Sequence, residues 1–186
     1  MRFYIGLVHY PVYNKHYQKI ASAITTFDLH DLSRLGRTYG AKGLFIITPL
    51  EDQQGLAERV VKHWREGYGA KYNPDRKEAL GIVKISPSIE ASIGDITAEE
   101  GEPPLLISTD ASRHDRRSMT YSKGREIVHS EKVVFLIFGT AWGLAKEVIE
   151  QSDFILGPIE GQTGYNHLSV RAAAAIILDR LMGSYR

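Results

Sequence analysis

Residues 133–144 have the sequence VVFLIFGTAWGL, in which six apolar residues lead into Gly139 and a second glycine follows at position 143. A short run of β-branched and aromatic residues that ends in glycine is typical of a buried strand followed by a turn. Ligands of open α/β sheets bind where strands end, and glycines there let the backbone approach a ligand closely. The spacing matches neither the dinucleotide fingerprint GxGxxG nor the P-loop GxxxxGK[ST], which disfavours a phosphate-cradling loop. The two glycines are therefore either turn residues or ligand contacts.

Similar apolar runs, each bounded by glycine, proline or polar residues, predict the rest of a sheet. They cover residues 3–8, 43–47, 81–85, 105–108 and 154–156. Helix-length segments lie between most of the strands, at residues 28–39, 52–67, 87–99, 119–129, 143–150 and 168–181. This alternation predicts an α/β protein with a parallel sheet and helices on both faces. The linker-like segment 99–104 is interpreted as a surface loop, so we expect one domain covering residues 1–186.

The composition excludes several classes of protein. Hydrophobic residues make up 43% of the chain and charged residues 24%, as in soluble globular proteins, and the apolar runs are too short to span a bilayer. There is no cysteine, which excludes disulfide scaffolds and thiolate chemistry. The seven histidines show no metal-binding spacing such as HExxH, so we expect no metal site. The amino terminus has no cleavable leader pattern, which predicts a cytoplasmic protein.

A second glycine-rich block follows the last predicted strand. Residues 154–171 have the sequence FILGPIEGQTGYNHLSVR, with Asn166 and Ser169 as candidate caps for an alanine-rich helix. That helix packs either in the core or against a second subunit, and the core is the simpler alternative. Because two successive strands end in glycine-rich loops, we expect the two loops to share one crevice.

These two blocks resemble the last two motifs of the SPOUT superfamily, the S-adenosylmethionine (SAM)-dependent RNA methyltransferases with a deep trefoil knot. Residues 138–144 are similar to the second motif, and residues 157–161 to the turn of the third, whose Ser-Val pair falls on Ser169 and Val170. Two positions differ: Ala141 stands where the second motif often has Glu, and the Asn of the third motif falls on His167, one place after Asn166. The chain resembles most closely a small standalone branch that in some bacteria is joined to tRNA guanine-N1 methyltransferase.

The resemblance implies a Rossmann-like parallel core with a carboxyl-terminal deep trefoil knot, SAM as cofactor, RNA as substrate and a homodimer. It places the cofactor between the loops that follow Ile107, Phe138 and Leu156. The residues implied to bind SAM are Thr109, Phe138, Gly139, Thr140, Gly143, Leu156, Gly157, Ile159, Gly161, Asn166, Leu168 and Ser169.

Catalytic candidates lie in the predicted helix 28–39. From the residues alone, Arg34 could simply pair with Asp31 or His30 on the same helix face. The resemblance favours another interpretation, because Asp28, Arg34 and Gly40 fall on the Asn, Arg and Gly of the family's first motif. Arg34 then contacts RNA and assists the reaction, with Asp28 as its partner in catalysis. A ribose 2′-hydroxyl nucleophile requires a base near Arg34, whereas a ring nitrogen favours Asp28 or Asp31 as proton acceptor.

Two further segments are candidates for RNA binding. Arg113, Arg116 and Arg117 follow the strand 105–108, which suits salt-dependent phosphate contacts, although a charged loop can also be a solvated surface. Arg37 is another guanidinium able to hold phosphate. Tyr10 lies among aromatic and basic residues after the first strand, where it either stacks on a base or covers the edge of the sheet.

Two other functions compete with methyl transfer. The replaced Glu and Asn positions favour a catalytically silent RNA-binding module with the same fold, whereas the intact proline, glycine and serine positions of the third motif favour a working cofactor site. A dehydrogenase would require a glycine fingerprint after an early strand, and residues 8–11, VHYP, do not provide one.

Overall fold

The computed structural model describes residues 1–184, so the last two residues of the expected domain lie outside the described residues. The strands are β1 (Arg2–Val8), β2 (Val12–Tyr13), β3 (Lys19–Ile20), β4 (Gly43–Ile47), β5 (Val83–Ser86), β6 (Leu105–Thr109), β7 (Ser118–Met119), β8 (Val133–Gly139) and β9 (Phe154–Leu156). The helices are α1 (Thr26–Thr38), α2 (Glu51–Arg65), α3 (Tyr68–Tyr72), α4 (Pro74–Leu80), α5 (Ile89–Glu100), α6 (Tyr121–Val128), α7 (Lys146–Gln151) and α8 (Val170–Met182).

A seven-stranded sheet forms the centre of the fold, with the order β5-β4-β1-β8-β6-β9-β7. Every pair of neighbouring strands in it is parallel. Strand β8 pairs with β1 from Arg2↔Val133 to Val8↔Gly139, and on its other side with β6. The carboxyl ends of all seven strands therefore lie along one edge of the sheet. The predicted parallel α/β architecture is confirmed.

Alternate residues of the central strands point into two separate cores. Phe3, Ile5 and Leu7 of β1 belong to the core that packs against α1, α2, α6 and α8. Tyr4 and Val8 belong to the other core, which α5 and α7 cover. The strands are apolar throughout because both faces of the sheet are buried.

Side-chain caps fix where several helices begin. Thr25 accepts a hydrogen bond from the backbone N–H of Asp28, Ser88 from that of Ala91, and Ser169 from that of Ala172. These bonds satisfy amide groups that the first helical turn leaves unpaired. They place the starts of α1, α5 and α8 within two residues of the predicted positions.

Some elements differ from the sequence prediction. The predicted helix 143–150 begins only at Lys146, since Gly143 has φ 96° and its carbonyl accepts a 3.0 Å hydrogen bond from Tyr13 N–H. The hairpin of β2 and β3 was not predicted, nor were α3, α4 and the two-residue strand β7. These elements are short and are held by tertiary contacts. So few residues cannot show a clear apolar periodicity in the sequence.

Among residues 1–184, no helix combines the length and the apolar character that a membrane crossing requires.

A methyl group at Gly6 of β1 tests the packing of the central strands. A Cβ there would lie 2.8 Å from Cζ of Phe135 and 2.9 Å from Cγ2 of Ile137, both buried. We expect Gly6→Ala to lower the free energy of unfolding by about 1–3 kcal/mol through overpacking, measured by urea denaturation. The matched control is Gly94→Ala on an exposed turn of α5, where a Cβ meets nothing within 4 Å. It should raise stability by about 0.5–1 kcal/mol, and equal effects of the two changes would contradict this packing.

Candidate functional site

Three strand ends form the candidate site. Strand β6 lies between β8 and β9, so Thr109, Gly139 and Leu156 end neighbouring strands at one edge of the sheet. The Thr109 hydroxyl donates a 3.0 Å hydrogen bond to the carbonyl of Ile137, which fixes β6 against β8. The structure thus brings together the three loops that the sequence analysis assigned to one crevice.

The loop after β8 has a backbone shape that needs its glycines. A Cβ at Gly139 would lie 2.6 Å from the backbone nitrogen of Leu144, and Gly143 has φ 96°. Trp142 donates its backbone N–H to the carbonyl of Tyr13 at 2.9 Å, which ties the loop to the hairpin that follows β1. Gly139 and Gly143 are therefore required by the turn itself, whether or not they contact a ligand.

The loop after β9 is different, because the neighbouring atoms leave room for a side chain at each of its glycines. A Cβ at Gly157 would meet only the carbonyl oxygen of Met119 at 3.5 Å, an ordinary contact. A Cβ at Gly161 or Gly164 would meet nothing within 4 Å. The open space above these positions is available to a ligand that approaches the backbone closely. Such access to the backbone is compatible with a nucleoside cofactor such as SAM.

The remaining cofactor candidates have unequal access to a ligand. The side chains of Phe138 and Leu156 are buried in the core, so only their backbone groups could contact a ligand, and Ile159 packs on the same core. Leu168 is 42% exposed. Asn166 donates a 2.7 Å hydrogen bond to the carbonyl of Ala111, which joins the loop after β9 to the loop after β6.

Asp28 and Arg34 occupy different environments on α1. Asp28 is buried, and its carboxylate accepts a 2.6 Å hydrogen bond from the Thr25 hydroxyl. Arg34 is exposed, and its guanidinium makes no hydrogen bond or ion pair with any residue between 1 and 184. Asp31 does not pair with Arg34, because it pairs instead with Arg171 of α8 at 2.9 Å. The guanidinium of Arg34 is thus available to an external anion.

Arg171 is a residue that the sequence analysis did not select. Besides Asp31, its guanidinium lies 3.5 Å from the carboxylate of Asp28, so one cation joins the first turns of α1 and α8. A cation in the first turn of a helix is unfavourable for the helix dipole. Its position in an otherwise alanine-rich sequence was therefore a signal that a carboxylate partner lies nearby.

The residues predicted to bind RNA are partly engaged within the protein. The Arg37 guanidinium donates a 2.7 Å hydrogen bond to Glu78, and Arg113 makes a bidentate pair with Glu160 at 2.6 and 2.7 Å. The Arg113 pair lowers the pKa of the Glu160 carboxyl through its hydrogen bonds, and both side chains are exposed. Such surface pairs are weak, so a phosphate can displace them.

Three more residues were predicted to bind RNA, namely Arg117, Arg116 and Tyr10. Arg117 donates hydrogen bonds to the carbonyls of Glu150 and, at 3.0 Å, Ser152, which close the carboxyl end of α7. Its guanidinium has a structural role in this position. Arg116 is exposed, and Tyr10 is 40% exposed.

A buried hydrogen-bond chain lies beneath the site, at the carboxyl end of β1. Thr140 donates its hydroxyl to the carbonyl of Val8 at 3.0 Å, Ser22 lies 2.6 Å from the Thr140 hydroxyl, and His9 Nδ1 lies 2.9 Å from the Ser22 hydroxyl. Because Thr140 has used its proton, Ser22 donates to Thr140 and His9 Nδ1–H donates to Ser22. His9 Nε2 is buried with no partner among residues 1–184. Thr140, a predicted cofactor contact, thus belongs to this chain.

The hydrogen-bond chain of His9, Ser22 and Thr140, called the His9 chain below, predicts a pH dependence of stability. Burial lowers the pKa of His9 from 6.5 to about 4, opposed by the nearby Asp28 carboxylate. Between those pH values the unfolded chain binds a proton that the folded protein does not, so stability falls as the pH falls from 6.5 to 4. We expect a loss of up to about 3 kcal/mol, measured by denaturation at several pH values. His30, whose pKa burial also lowers, adds a slope of the same sign.

The matched variant is His9→Asn, which keeps a donor for Ser22 and removes the titrating group. It should flatten the slope, whereas His16→Asn on the exposed hairpin turn should leave it unchanged. A slope in His9→Asn equal to that of the unsubstituted protein would contradict the assignment.

Comparison with known proteins gives a consistent result. A family model described as SAM-dependent RNA methyltransferase matches residues 2–183. The tRNA (guanine-N(1)-)-methyltransferase of Oleidesulfovibrio alaskensis is 45% identical over 180 residues, which cover 97% of this chain and 42% of that protein. An uncharacterized protein of Aquifex aeolicus is 38% identical over 184 residues, 98% of this chain and 89% of that protein. The chain thus spans about two fifths of the length of the first of these relatives.

Solved structures extend the similarity to the fold. An AdoMet-bound rRNA methyltransferase from Sinorhizobium meliloti superposes with a TM-score of 0.57 at 15% identity, covering 97% of this chain and 55% of that chain. The parallel sheet, the three neighbouring strand ends and the family match over residues 2–183 support one conclusion. This chain belongs to the family of SAM-dependent RNA methyltransferases.

Proposed function

We propose that this protein transfers a methyl group from SAM to a nucleotide of RNA. The observation that carries the proposal is the neighbouring ends of β6, β8 and β9, with room for a ligand above the backbone at Gly157 and Gly161. The family match supports SAM as cofactor and RNA as substrate. The name of the Oleidesulfovibrio relative supports tRNA as the class of RNA. The comparisons give no support to a catalytically silent RNA-binding module or to a dehydrogenase.

The loops after β6, β8 and β9 are the proposed cofactor site. Backbone groups around Gly139, Gly157 and Gly161 would hold SAM, together with the side chains of Thr109 and Leu168. When bound, SAM supplies an electrophilic methyl group with a good leaving group. The protein then has three tasks: to position the RNA nucleophile, to exclude water and to accept one proton.

Arg34 is the proposed RNA-positioning and catalytic residue. Its guanidinium is exposed and unpaired within residues 1–184, so it can bind a phosphate bidentately without breaking an internal contact. Asp28 and Asp31 both pair with Arg171, and we propose one of these carboxylates as proton acceptor if the nucleophile is a ring nitrogen. Arg37, Arg113, Arg116 and Tyr10 are proposed as further RNA contacts, and Arg117 contributes by shaping its loop.

The deep trefoil knot is also part of the proposal. Strand β9 lies between β6 and β7, although β6 and β7 are joined earlier in the chain by residues 110–117. A knotted chain has a late segment that passes through an earlier loop, and this strand order is compatible with such a passage. The hydrogen bond from Asn166 to Ala111 supports the same threading, because it joins the loop after β9 to that connection.

A homodimer acting in the cytoplasm completes the proposal, with residues 1–186 as one domain. Large side chains are exposed around the site, including Phe27 at 67%, Trp142 at 62% and Tyr165 at 70%, and a second subunit would cover them. Sedimentation equilibrium should give twice the mass of 20.9 kDa, and a monomer at micromolar concentration would contradict the dimer.

Gly157→Val tests the cofactor site. The side chain would fill space that the fold does not use, so we expect S-adenosylhomocysteine binding to be lost while the melting temperature stays within a few degrees of that of the unsubstituted protein. Calorimetric titration measures the first quantity, and Gly94→Ala serves as the matched control with full affinity. Unchanged affinity in Gly157→Val would place the cofactor elsewhere.

Arg34→Ala tests the catalytic assignment. Removing the guanidinium should reduce methyl transfer to RNA by about 100-fold or more, because positioning and charge stabilisation are both lost. The affinity for S-adenosylhomocysteine should stay within twofold, since Arg34 is assigned to RNA. Transfer of a tritiated methyl group to unmodified tRNA measures the rate, with Lys123→Ala on the exposed face of α6 as control. Full activity of Arg34→Ala would exclude this residue from the mechanism.

A further inference from the structure

Helix α3 presents two neighbouring tyrosines to solvent. Tyr68 and Tyr72 are each 74% exposed, their ring centroids lie 6.1 Å apart, and their planes differ by 22°. Residues four apart share one face of a helix, which explains why the rings lie together. A pair of large aromatic side chains on an open surface is unusual in the absence of a binding partner.

Helix α3 packs against the protein through Gly69, on the side where Trp64 lies. A Cβ at Gly69 would lie 2.6 Å from Cε3 of Trp64, so α3 rests directly on the indole ring. The Trp64 ring in turn meets the ring of His30 from α1 edge-on at 5.3 Å, and the Arg76 guanidinium lies over it at 4.4 Å. Trp64 therefore connects α3, α4 and α1.

The surface around α3 carries an excess of positive charge. Residues 58–78 carry the basic residues Arg59, Lys62, Arg65, Lys71, Arg76 and Lys77 against the acidic residues Glu58, Glu66, Asp75 and Glu78, and Glu78 is paired with Arg37. No ion pair within residues 1–184 involves any of these six cations. An open cleft of about 460 Å³ beside α3 is lined by Arg59, Lys62, His63, Glu66 and Gly67. Unpaired cations in this number suit a polyanionic ligand.

This surface is continuous with the proposed catalytic arginine. His30 links the two, because it lies one turn before Arg34 on α1 and its ring meets the Trp64 ring edge-on at 5.3 Å. A path of aromatic and cationic side chains thus leads from Arg34 across His30 and Trp64 to the two tyrosines. An RNA strand held at Arg34 can follow this path over α1 to α3.

We propose that the α3 surface, defined as Tyr68, Tyr72, Lys62, Lys71 and Arg76, is a second contact site for substrate RNA. Unpaired bases stack on the two tyrosine rings, and the cations hold the flanking phosphates. The inference rests on the proposed function, because it extends the RNA-binding surface of the same enzyme. Free cations favour RNA over a protein partner, whose binding would rely on apolar area and matched charges.

The direct test replaces both tyrosines. Tyr68→Ala/Tyr72→Ala should weaken binding of a fluorescein-labelled, single-stranded 12-nucleotide RNA of mixed sequence by at least about fivefold, the effect expected for loss of one stacked base. Tyr68→Phe/Tyr72→Phe keeps both rings and should bind within twofold of the unsubstituted protein. The exposure of both side chains means that neither change disturbs the core.

A second pair of variants tests the charges. Lys62→Glu/Lys71→Glu should reduce the dependence of RNA affinity on salt, because fewer counterions are released on binding. Lys123→Glu, on α6 away from α3, is the control with an unchanged salt slope. Calorimetry with S-adenosylhomocysteine should give the same affinity for all these variants.

The outcomes separate this inference from the proposed function. If the unsubstituted protein binds RNA and the alanine variant binds equally well, the α3 contact is wrong, and α3 is available to a protein partner instead. If the phenylalanine variant loses affinity as strongly as the alanine variant, base stacking is wrong. If the unsubstituted protein binds S-adenosylhomocysteine but neither the labelled oligonucleotide nor bulk bacterial tRNA, the proposed RNA substrate itself is wrong.

Discussion

The hydrogen bonds that insert β8 between β1 and β6 are the constraint on which the rest of the structure depends. Through this insertion, a strand near the end of the chain pairs with the first strand over its whole length, and its loop meets the hairpin that follows β1. The same pairing sets β6 and β9 beside it, so that three loops from distant parts of the sequence share one edge of the sheet. A displacement of β8 would separate those loops and open the His9 chain beneath them.

A second interaction, the pairing of Arg171 with two carboxylates, relates this edge to α1. Helix α8 begins directly after the glycine-rich loop, and Arg171 in its first turn lies against Asp28 and Asp31. A cation in the first turn of a helix is unfavourable for the helix dipole, and the two carboxylates compensate for this. One consequence is that Arg34, one turn further along α1, pairs with no carboxylate of residues 1–184. The arrangement that holds two helices together thus leaves one exposed guanidinium available to an external anion.

The extent to which sequence could predict this protein differs between its parts. The long strands were predictable because both faces of a parallel sheet are buried and the runs are apolar throughout, as at residues 133–138. The position of the candidate ligand loops was also predictable, because ligands of parallel α/β sheets bind at the carboxyl ends of the strands. Helix α3 was not predictable, because five residues have too little periodicity and Gly69 is explained only by the Trp64 ring beneath it. The internal partners of Arg113 and Arg117 depend on loops that only the folded chain brings together.

The central claim is that the loops after β6, β8 and β9 form the cofactor site, and amide hydrogen exchange with and without saturating S-adenosylhomocysteine tests it most directly. We expect slower exchange in residues 110–116, 140–144 and 157–169, with the sheet and α3 unchanged. Protection confined to the cleft beside α3, or no protection in any of the three loops, would contradict the claim.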